Sequence, residues 1–263
     1  MGTAGLSRAD AEFQWETNTG AAPAPRRVTD AQIVGLEKTK LQRRERRDRE
    51  IVTLLLSWFE DHGRQLPWRH GTMEPWQVLV VEIMLQQTRA ERIGAFIPAF
   101  LADFASLRAL AETEESTLAE RLATLGLQNR RAARIVALAG VLLARDGRIP
   151  ESKPELELLP GVGPYVAAAY MSTVLEQPEP MVDVNMARLI ERLYGPRTLA
   201  DVRYDPHING VARRLIHLAG RPREFNWAVL DLGAAHCKSR SPSCLGCPLL
   251  DVCPFGQKRV RSP

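Results

Sequence analysis

Apolar residues recur every three or four positions through most of the chain beyond about residue 49. This period predicts amphipathic helices, whereas the strict alternation that predicts strands is nearly absent. Gly126, Gly147 and Gly195 stand where such segments end, as expected of glycine at a helix C-terminus. We therefore expect an all-α fold. The predicted helical segments are 49–63, 75–104, 117–126, 129–147 and 184–195.

The first part of the chain lacks this pattern. Residues 1 to about 28 are rich in Ala, Thr, Gly and Pro, a composition typical of flexible segments. The run 37–50 carries seven basic and four acidic residues. It predicts a solvated helix face or a linker, and a phosphate-binding arm is the alternative. We expect residues 1–47 to form a flexible tail.

A turn with the sequence LPGVG at 159–163 interrupts the helical segment 155–175. Pro164 follows, and proline is favoured at the first position of a helix. Two glycines this close permit a tight hairpin and close approach of a ligand to the backbone. The free N–H groups of the second helix would then attract a phosphate without reading bases. An ordinary helical turn is the alternative.

Two carboxylates occupy unusual places in the pattern. Glu82 lies inside the apolar run VLVVEIML, where burial would raise its pKa and suit proton transfer near neutral pH. A partly exposed position or a structural ion pair is the alternative. Asp183 precedes an apolar-periodic segment, where it could cap a helix or stabilise positive charge in a pocket. Spacing alone does not bring Glu82 and Asp183 together.

All four cysteines of the chain lie near its C-terminus in the pattern C-x6-C-x2-C-x5-C. Four thiolates in one short segment predict a tetrahedral sulfur site. Zinc and an iron–sulfur cluster both accept four cysteines, and the single C-x2-C spacing favours the cluster. Disulfides are the remaining alternative. The predicted ligands are Cys237, Cys244, Cys247 and Cys253.

The composition of the chain excludes only a few classes of protein. The 263 residues are 45% hydrophobic and 25% charged, as in globular proteins. No apolar run has the length of a membrane span, and the N-terminus has no apolar signal core, so we expect a cytoplasmic protein without a membrane partner. The net charge of +4 allows a polyanionic partner without requiring one.

The motifs occur together in a familiar order. EIMLQQT at 82–88, LPGVG at 159–163, VDVN at 182–185 and the cysteine pattern resemble the helix–hairpin–helix DNA glycosylases with an iron–sulfur loop. This is the superfamily of endonuclease III and MutY. The resemblance covers about residues 48–256. It implies a monomeric, nucleoid-associated repair enzyme acting on double-stranded DNA that contains a mismatched or damaged base.

The resemblance also implies a fold of two helical domains with the active site in the cleft between them. A six-helix domain over 70–180 would carry the hairpin. Residues 48–69 and 181–256 would form the second domain, which would hold a 4Fe–4S cluster of structural rather than catalytic use. DNA would run across both domains, with the target base flipped into the cleft.

Residue roles follow from the same resemblance. Asp183 matches the aspartate that stabilises the oxocarbenium-like sugar, and Glu82 matches the glutamate that moves protons at the base or the water. Asn185 matches a pocket residue beside the aspartate, and Gln87 matches the residue that fills the gap left by the flipped base. The residues implied to contact DNA are Gln86, Gln87, Gly161, Val162 and Gly163.

The branch of the superfamily depends on a few positions. Bifunctional members carry lysine two residues after the second glycine of the hairpin, where this chain has Tyr165, so β-elimination is not expected. Residues 125–132, Tyr165 and 223–226 resemble the mismatch-specific thymine/uracil glycosylases of archaeal type. Residues 84–88 instead resemble the adenine glycosylases, although the chain ends about ten residues after Cys253, too soon for their 8-oxoguanine-reading domain. We favour the thymine/uracil branch; an adenine glycosylase and a catalytically inactive DNA-binding protein are the alternatives.

Overall fold

The computed structural model describes residues 30–71 and 73–261, and within these ranges the chain forms helices and no strand. The predicted all-α fold is therefore confirmed. Contacts divide the chain into a unit that ends at Gln42 and a unit that begins at Arg43 and holds the remaining helices. No helix in the described ranges combines the length and the apolar character needed to cross a membrane. The predicted tail over residues 1–29 lies outside the described residues.

Short loops join the helices, several of which begin at a proline in the first helical position. The α-helices of the described ranges are α1 (Asp30–His62), α2 (Pro75–Leu85), α3 (Ala90–Asp103), α4 (Leu107–Ala111), α5 (Glu115–Leu122), α6 (Gln128–Leu143), α7 (Lys153–Leu156), α8 (Pro164–Thr173), α9 (Val184–Tyr194), α10 (Pro206–Ala219), α11 (Pro222–Ala235) and α12 (Pro254–Arg261).

Helix α1 starts earlier than the sequence pattern indicated. Residues 30–47, expected to be part of a flexible tail, are helical, and over 37–47 this agrees with the high helix propensity of Lys, Arg, Glu and Gln. Within 37–62 the first buried residue is Asp48, whose carboxylate accepts hydrogen bonds from the Tyr194 hydroxyl and from Arg214 Nε, both at 2.6 Å. This contact fastens α1 to α9 and α10.

The segment 75–104, predicted as one helix, forms two helices separated by a turn at 86–89. Gln87 has a φ of +59°, in the left-handed region, which an α-helix cannot continue through. Neither glycine nor proline marks this turn, so helical periodicity runs through it without a visible break. The turn leaves the Gln87 side chain exposed.

Buried residues form two main hydrophobic cores. Helices α2 to α8 surround the first core, which includes Leu79, Ile83 and Phe100. The C-terminal half of α1 packs with α9, α10, α11 and the cysteine segment around the second, which includes Ile51 and Phe225. The predicted domain boundaries stay a prediction.

The hairpin between α7 and α8 depends on its first glycine. Gly161 has a φ of +78°, and a Cβ atom there would lie 2.9 Å from Ile83 Cδ1, which is closer than real Cβ contacts allow. Gly163 caps α8 with a φ of −101°, and its Cβ would meet no atom within 4 Å. Gly161 is therefore required by the packing of the hairpin on α2, whereas Gly163 is not.

These two glycines provide a matched test of the hairpin. We expect Gly161→Ala to lower the free energy of unfolding by about 2 kcal/mol, since it combines backbone strain with overpacking. Gly163→Ala should change it by less than about 1 kcal/mol. Urea denaturation of both variants measures the difference, and equal destabilisation would contradict this packing.

Candidate active site

A cavity of about 220 Å³ lies where helices of the two cores meet. Side chains from α2 and α8 line one wall, and side chains from α9 and α11 line the other. Three of the residues predicted for the site, Glu82, Tyr165 and Asn185, line this cavity together. A concave site with converging polar groups is the usual form of an active site, so this cavity is the candidate.

Glu82 lies on the apolar helix α2 with only 4% of its surface exposed. Its Oε2 atom has no hydrogen-bond partner within the described residues. Burial raises the pKa of Glu82 to about 7, and the positive charge of Arg69 opposes this shift. A carboxyl group with this pKa exchanges protons near neutral pH, as a general acid or base must.

Asp183 forms the N-cap of α9 next to the cavity. Its Oδ1 accepts the backbone N–H groups of Asn185 (2.9 Å) and Met186 (2.8 Å), and its Oδ2 accepts the Asn185 Nδ2 group at 2.6 Å. Burial raises the pKa of Asp183, while these hydrogen bonds lower it. The charges of Glu82 and Asp183 both raise the pKa of Tyr165, after the larger effect of its burial. The fold therefore brings the two predicted carboxylates close enough to Tyr165 for both charges to act on its hydroxyl group.

A chain of hydrogen bonds connects Asp183 to the cysteine segment. Asn185, which donates to Asp183, accepts from Arg188 Nη2 at 2.7 Å. Arg188 Nε in turn donates to the carbonyl oxygen of Cys237 at 2.7 Å. The side chain of Asn185, one of the donors to Asp183, is thus linked through Arg188 to the backbone of the first cysteine.

The structure adds a buried ion-pair cluster that the sequence analysis missed. Asp231 on α11 is 2% exposed and pairs with Arg64 Nε at 2.7 Å and with Arg69 Nη1 at 2.8 Å. Arg69 also stacks over Trp227, with its guanidinium carbon 5.0 Å from the ring centroid. Both arginines and Trp227 line the cavity, so this cluster fixes the cationic side of the site.

A sequence signal for Asp231 does exist. Like Glu82, it is an acidic residue inside an apolar helical run, FNWAVLDLGAA at 225–235. The reasoning that singled out Glu82 applies to it equally. Its two arginine partners are 162 and 167 positions away in the chain, so the pairing itself has no local signal.

Gln86 and Gln87 have different surroundings. The Gln86 side chain is engaged within the protein: Nε2 donates to Gly161 O at 3.3 Å, and Oε1 accepts from Arg134 Nη1 at 3.1 Å. Gln87 is exposed at the tip of the turn. Of the two glutamines, Gln87 has the exposed side chain, which is therefore available to insert into bound DNA.

The hairpin residues also differ. Val162 is 5% exposed and packs in the first core, so its side chain is not available to DNA. Gly163 stands at the N-terminus of α8 with open space around its Cα. A contact of this hairpin with phosphate would therefore be made by backbone groups.

The four cysteines are free thiols that line one largely apolar cavity. Arg192 Nη1 donates to Cys237 Sγ at 3.1 Å, and Gly256 N–H donates to Cys253 Sγ at 3.4 Å. Burial, and then the other three thiols, raise the pKa of Cys247 to about 11. N–H donors and an apolar surround fit a group held by four thiolates.

Within residues 30–71 and 73–261, however, no group of three or more His, Cys, Asp or Glu side chains is already arranged to hold a metal ion. The iron–sulfur cluster therefore stays a prediction, and so do its ligands.

The helical hairpin beside a cavity with the buried carboxyl group of Glu82 agrees with the class that the sequence motifs resemble, the helix–hairpin–helix proteins. Residues 80–204 match the family model described as HhH-GPD superfamily base excision DNA repair protein. The chain is also 36% identical over 203 residues to the thymine-DNA glycosylase of Aeropyrum pernix, a match covering 76% of this chain and 91% of that protein. The chain belongs to the HhH-GPD superfamily of base excision DNA repair proteins.

Two further comparisons bear on the branch. A solved structure of a thermostable thymine-DNA glycosylase has a TM-score of 0.75 and 29% identity, and the match covers 81% of this chain and 98% of that one. The adenine DNA glycosylase of Mycobacterium tuberculosis is 36% identical over 199 residues, which are 75% of this chain and 65% of that protein. The likeness to thymine-DNA glycosylases thus extends over nearly their whole length.

The raised pKa of Glu82 has a consequence for stability. Between pH 4.5 and about 7 the folded protein keeps a proton on Glu82 that the unfolded chain releases, so stability falls as pH rises through this window. Relative to wild type, Glu82→Gln should gain up to about 3 kcal/mol between pH 5 and pH 8. Urea denaturation at both pH values measures this change.

Glu120→Gln is the matched control, because its exposed carboxylate is already hydrated and its replacement should leave the difference near zero. An equal effect of both substitutions would mean that the carboxyl group of Glu82 is hydrated in solution.

Proposed function

We propose that the protein is a monofunctional DNA glycosylase that removes thymine or uracil mispaired with guanine from double-stranded DNA. The observation that carries the proposal is that Glu82 and Tyr165 line one cavity and that the charge of Asp183, beside this cavity, also acts on Tyr165. A cavity of about 220 Å³ has room for a single base flipped out of the duplex. A pocket that admits thymine also admits uracil, which lacks only one methyl group.

The two carboxylates have separate uses in this reaction. Asp183, hydrogen-bonded by the first N–H groups of α9, holds a negative charge that stabilises the sugar cation as the base departs. Glu82, with an unpartnered oxygen and a pKa of about 7, takes the proton from the attacking water. Their different surroundings separate the two roles.

Tyr165 supports hydrolysis without strand cleavage. Burial raises the pKa of its hydroxyl well above the usual value, so the phenol stays protonated and neutral. A phenol cannot form the Schiff base that drives β-elimination, and no lysine is among the described residues that line the cavity. The product should therefore be an intact abasic strand.

A 4Fe–4S cluster held by the four cysteines forms part of the proposal. The thiols share one cavity, and Arg188 and Arg192 join the cysteine segment to α9. The cluster would then fix the cysteine segment in the second core. Through Arg188 and Arg192 it would also fix α9, the helix that Asp183 caps. Metal binding of this kind couples to folding.

The choice of base is tested with four duplexes that carry T:G, U:G, A:G or A:8-oxoguanine pairs. We expect release of thymine and uracil, with strand breakage only after alkali and little borohydride-trapped complex. Release of adenine alone would establish the adenine glycosylase instead. Absence of release from all four, with binding retained, would indicate an inactive DNA-binding protein.

Asp183→Asn should reduce the single-turnover rate of base release at least about a hundredfold while changing DNA affinity by less than about threefold. The reason is that the carboxylate acts on a cation that exists only near the transition state. Rapid-quench excision and fluorescence anisotropy measure the two quantities separately.

Asp205→Asn is the matched control, since Asp205 caps α10 in the same way, by accepting the Ile208 N–H at 2.8 Å, but its charge is not among those that act on Tyr165 in the cavity wall. It should lower stability and leave the rate of excision in folded protein unchanged. Similar rates for the two variants would reduce Asp183 to a helix cap.

The cluster is tested by metal analysis of protein purified without oxygen. We expect about four irons per chain and broad absorption near 400 nm. Cys244→Ser should lower the yield of folded protein more than the rate of excision per folded molecule. Stoichiometric zinc without iron would contradict the cluster.

A further inference from the structure

A buried arginine that does not line the active-site cavity joins two segments of the first core. Arg131 on α6 is 3% exposed, and none of its hydrogen bonds within the described residues goes to a carboxylate. Burying a guanidinium group without a negative partner is costly, so the groups that accept its hydrogen bonds indicate what the arginine does in the fold.

The acceptors of Arg131 belong to two separate segments. Nη1 donates to the carbonyl oxygens of Leu125, at 2.9 Å, and of Gly126, in the loop before α6. Nη2 donates to the carbonyl oxygen of Gln86 and to Thr88 Oγ1, at 2.6 Å, in the turn between α2 and α3. One planar group therefore fixes the 86–88 turn against the 125–127 loop.

A second arginine ties the same two regions. Arg92 Nη2, from the first turns of α3, donates to the carbonyl oxygen of Thr124. A cavity of about 740 Å³ lies between the two regions, and Gln87, Arg92 and Leu125 are among its lining residues. The hydrogen bonds of the two arginines thus hold the two segments at a fixed distance, and a concave surface lies between them.

Each segment presents one exposed side chain in a strained backbone conformation. Gln87 has a φ of +59°, and Leu127 has a φ of +53° with 46% of its surface exposed. Left-handed backbone is unfavourable for residues other than glycine and persists only where the surroundings impose it. Arg131 holds the groups on either side of Gln87 in sequence, Gln86 O and Thr88 Oγ1, and the two carbonyl groups that directly precede Leu127.

We propose that Arg131 is a positioning residue that sets the distance between Gln87 and Leu127, so that both enter the duplex together around the flipped nucleotide. This inference rests on the proposed function, in which the base leaves the stack. The flat guanidinium can hold four acceptors in fixed directions, which the compact ammonium of lysine cannot do. Its contribution is therefore to base flipping and not to the chemistry in the cavity.

Two substrates separate these contributions. In a T:G duplex the enzyme must unpair and unstack the thymine, whereas a thymine opposite an abasic site is already unpaired and costs less to flip. We expect Arg131→Lys to slow single-turnover excision from T:G by at least about tenfold, as small misplacements do, and from the abasic-opposed thymine by less than about threefold.

Arg130→Lys is the matched control, because Arg130 is an exposed neighbour on the same helix and receives the same substitution. It should leave both rates nearly unchanged, since the positive charge that attracts phosphate is kept. Equal slowing of the two substrates by Arg131→Lys, or no slowing of either, would overturn the proposal.

Thr88→Val provides a second variant if Arg131→Lys does not fold, since it removes one acceptor and keeps the arginine. It should show the same preference between substrates in weaker form, and equal slowing would again overturn the proposal. Fluorescence of 2-aminopurine beside the mismatch reports unstacking upon binding. If the wild type released no base, this signal would still test whether Arg131 aids flipping, independently of the proposed function.

Discussion

The structure depends on the burial of charge where its two hydrophobic cores meet. Asp231 accepts hydrogen bonds from the side chains of Arg64 and Arg69, and so fastens the segment that follows α1 to α11. Removing the carboxylate would leave Arg69 without its carboxylate partner and Arg64 with Glu91 alone, at a cost of about 3–5 kcal/mol for a broken buried pair. The same cluster places the charge of Arg69 near Glu82, so the architecture and the electrostatics of the cavity share one origin.

Next to this cluster, the burial of Glu82 lowers the stability of the fold and gives its carboxyl group a pKa suited to proton transfer. Glu82 keeps an oxygen without a hydrogen bond, and its carboxyl group titrates near pH 7 because burial penalises the charge. Asp183 instead receives three hydrogen bonds and serves as a helix cap as well as a pocket charge. Two carboxylates of similar intrinsic acidity are thus set to different tasks by their neighbours.

The sequence predicted what depends on local pattern and not what depends on distant pairing. The helices were predictable because their hydrophobic period is visible in consecutive residues. Glu82 was predictable because a carboxylate inside an apolar run is unusual. The break at Gln87 was not, since no glycine or proline marks it. The pairing of Asp231 with two distant arginines has no local signal, and only the family resemblance placed Asp183 near Glu82. Val162 was expected at the DNA surface, but packing gives it a place in the first core.

The central claim is that Glu82 acts as the base of a glycosylase reaction, and the pH dependence of single-turnover excision from a T:G duplex tests it most directly. Because the active form is ionised, the rate should rise with pH and reach half its maximum near pH 7, the pKa that burial gives Glu82. The Glu82→Gln enzyme should be slow and independent of pH over this range. A wild-type rate that falls as pH rises through 7, or an unchanged profile in Glu82→Gln, would contradict the account.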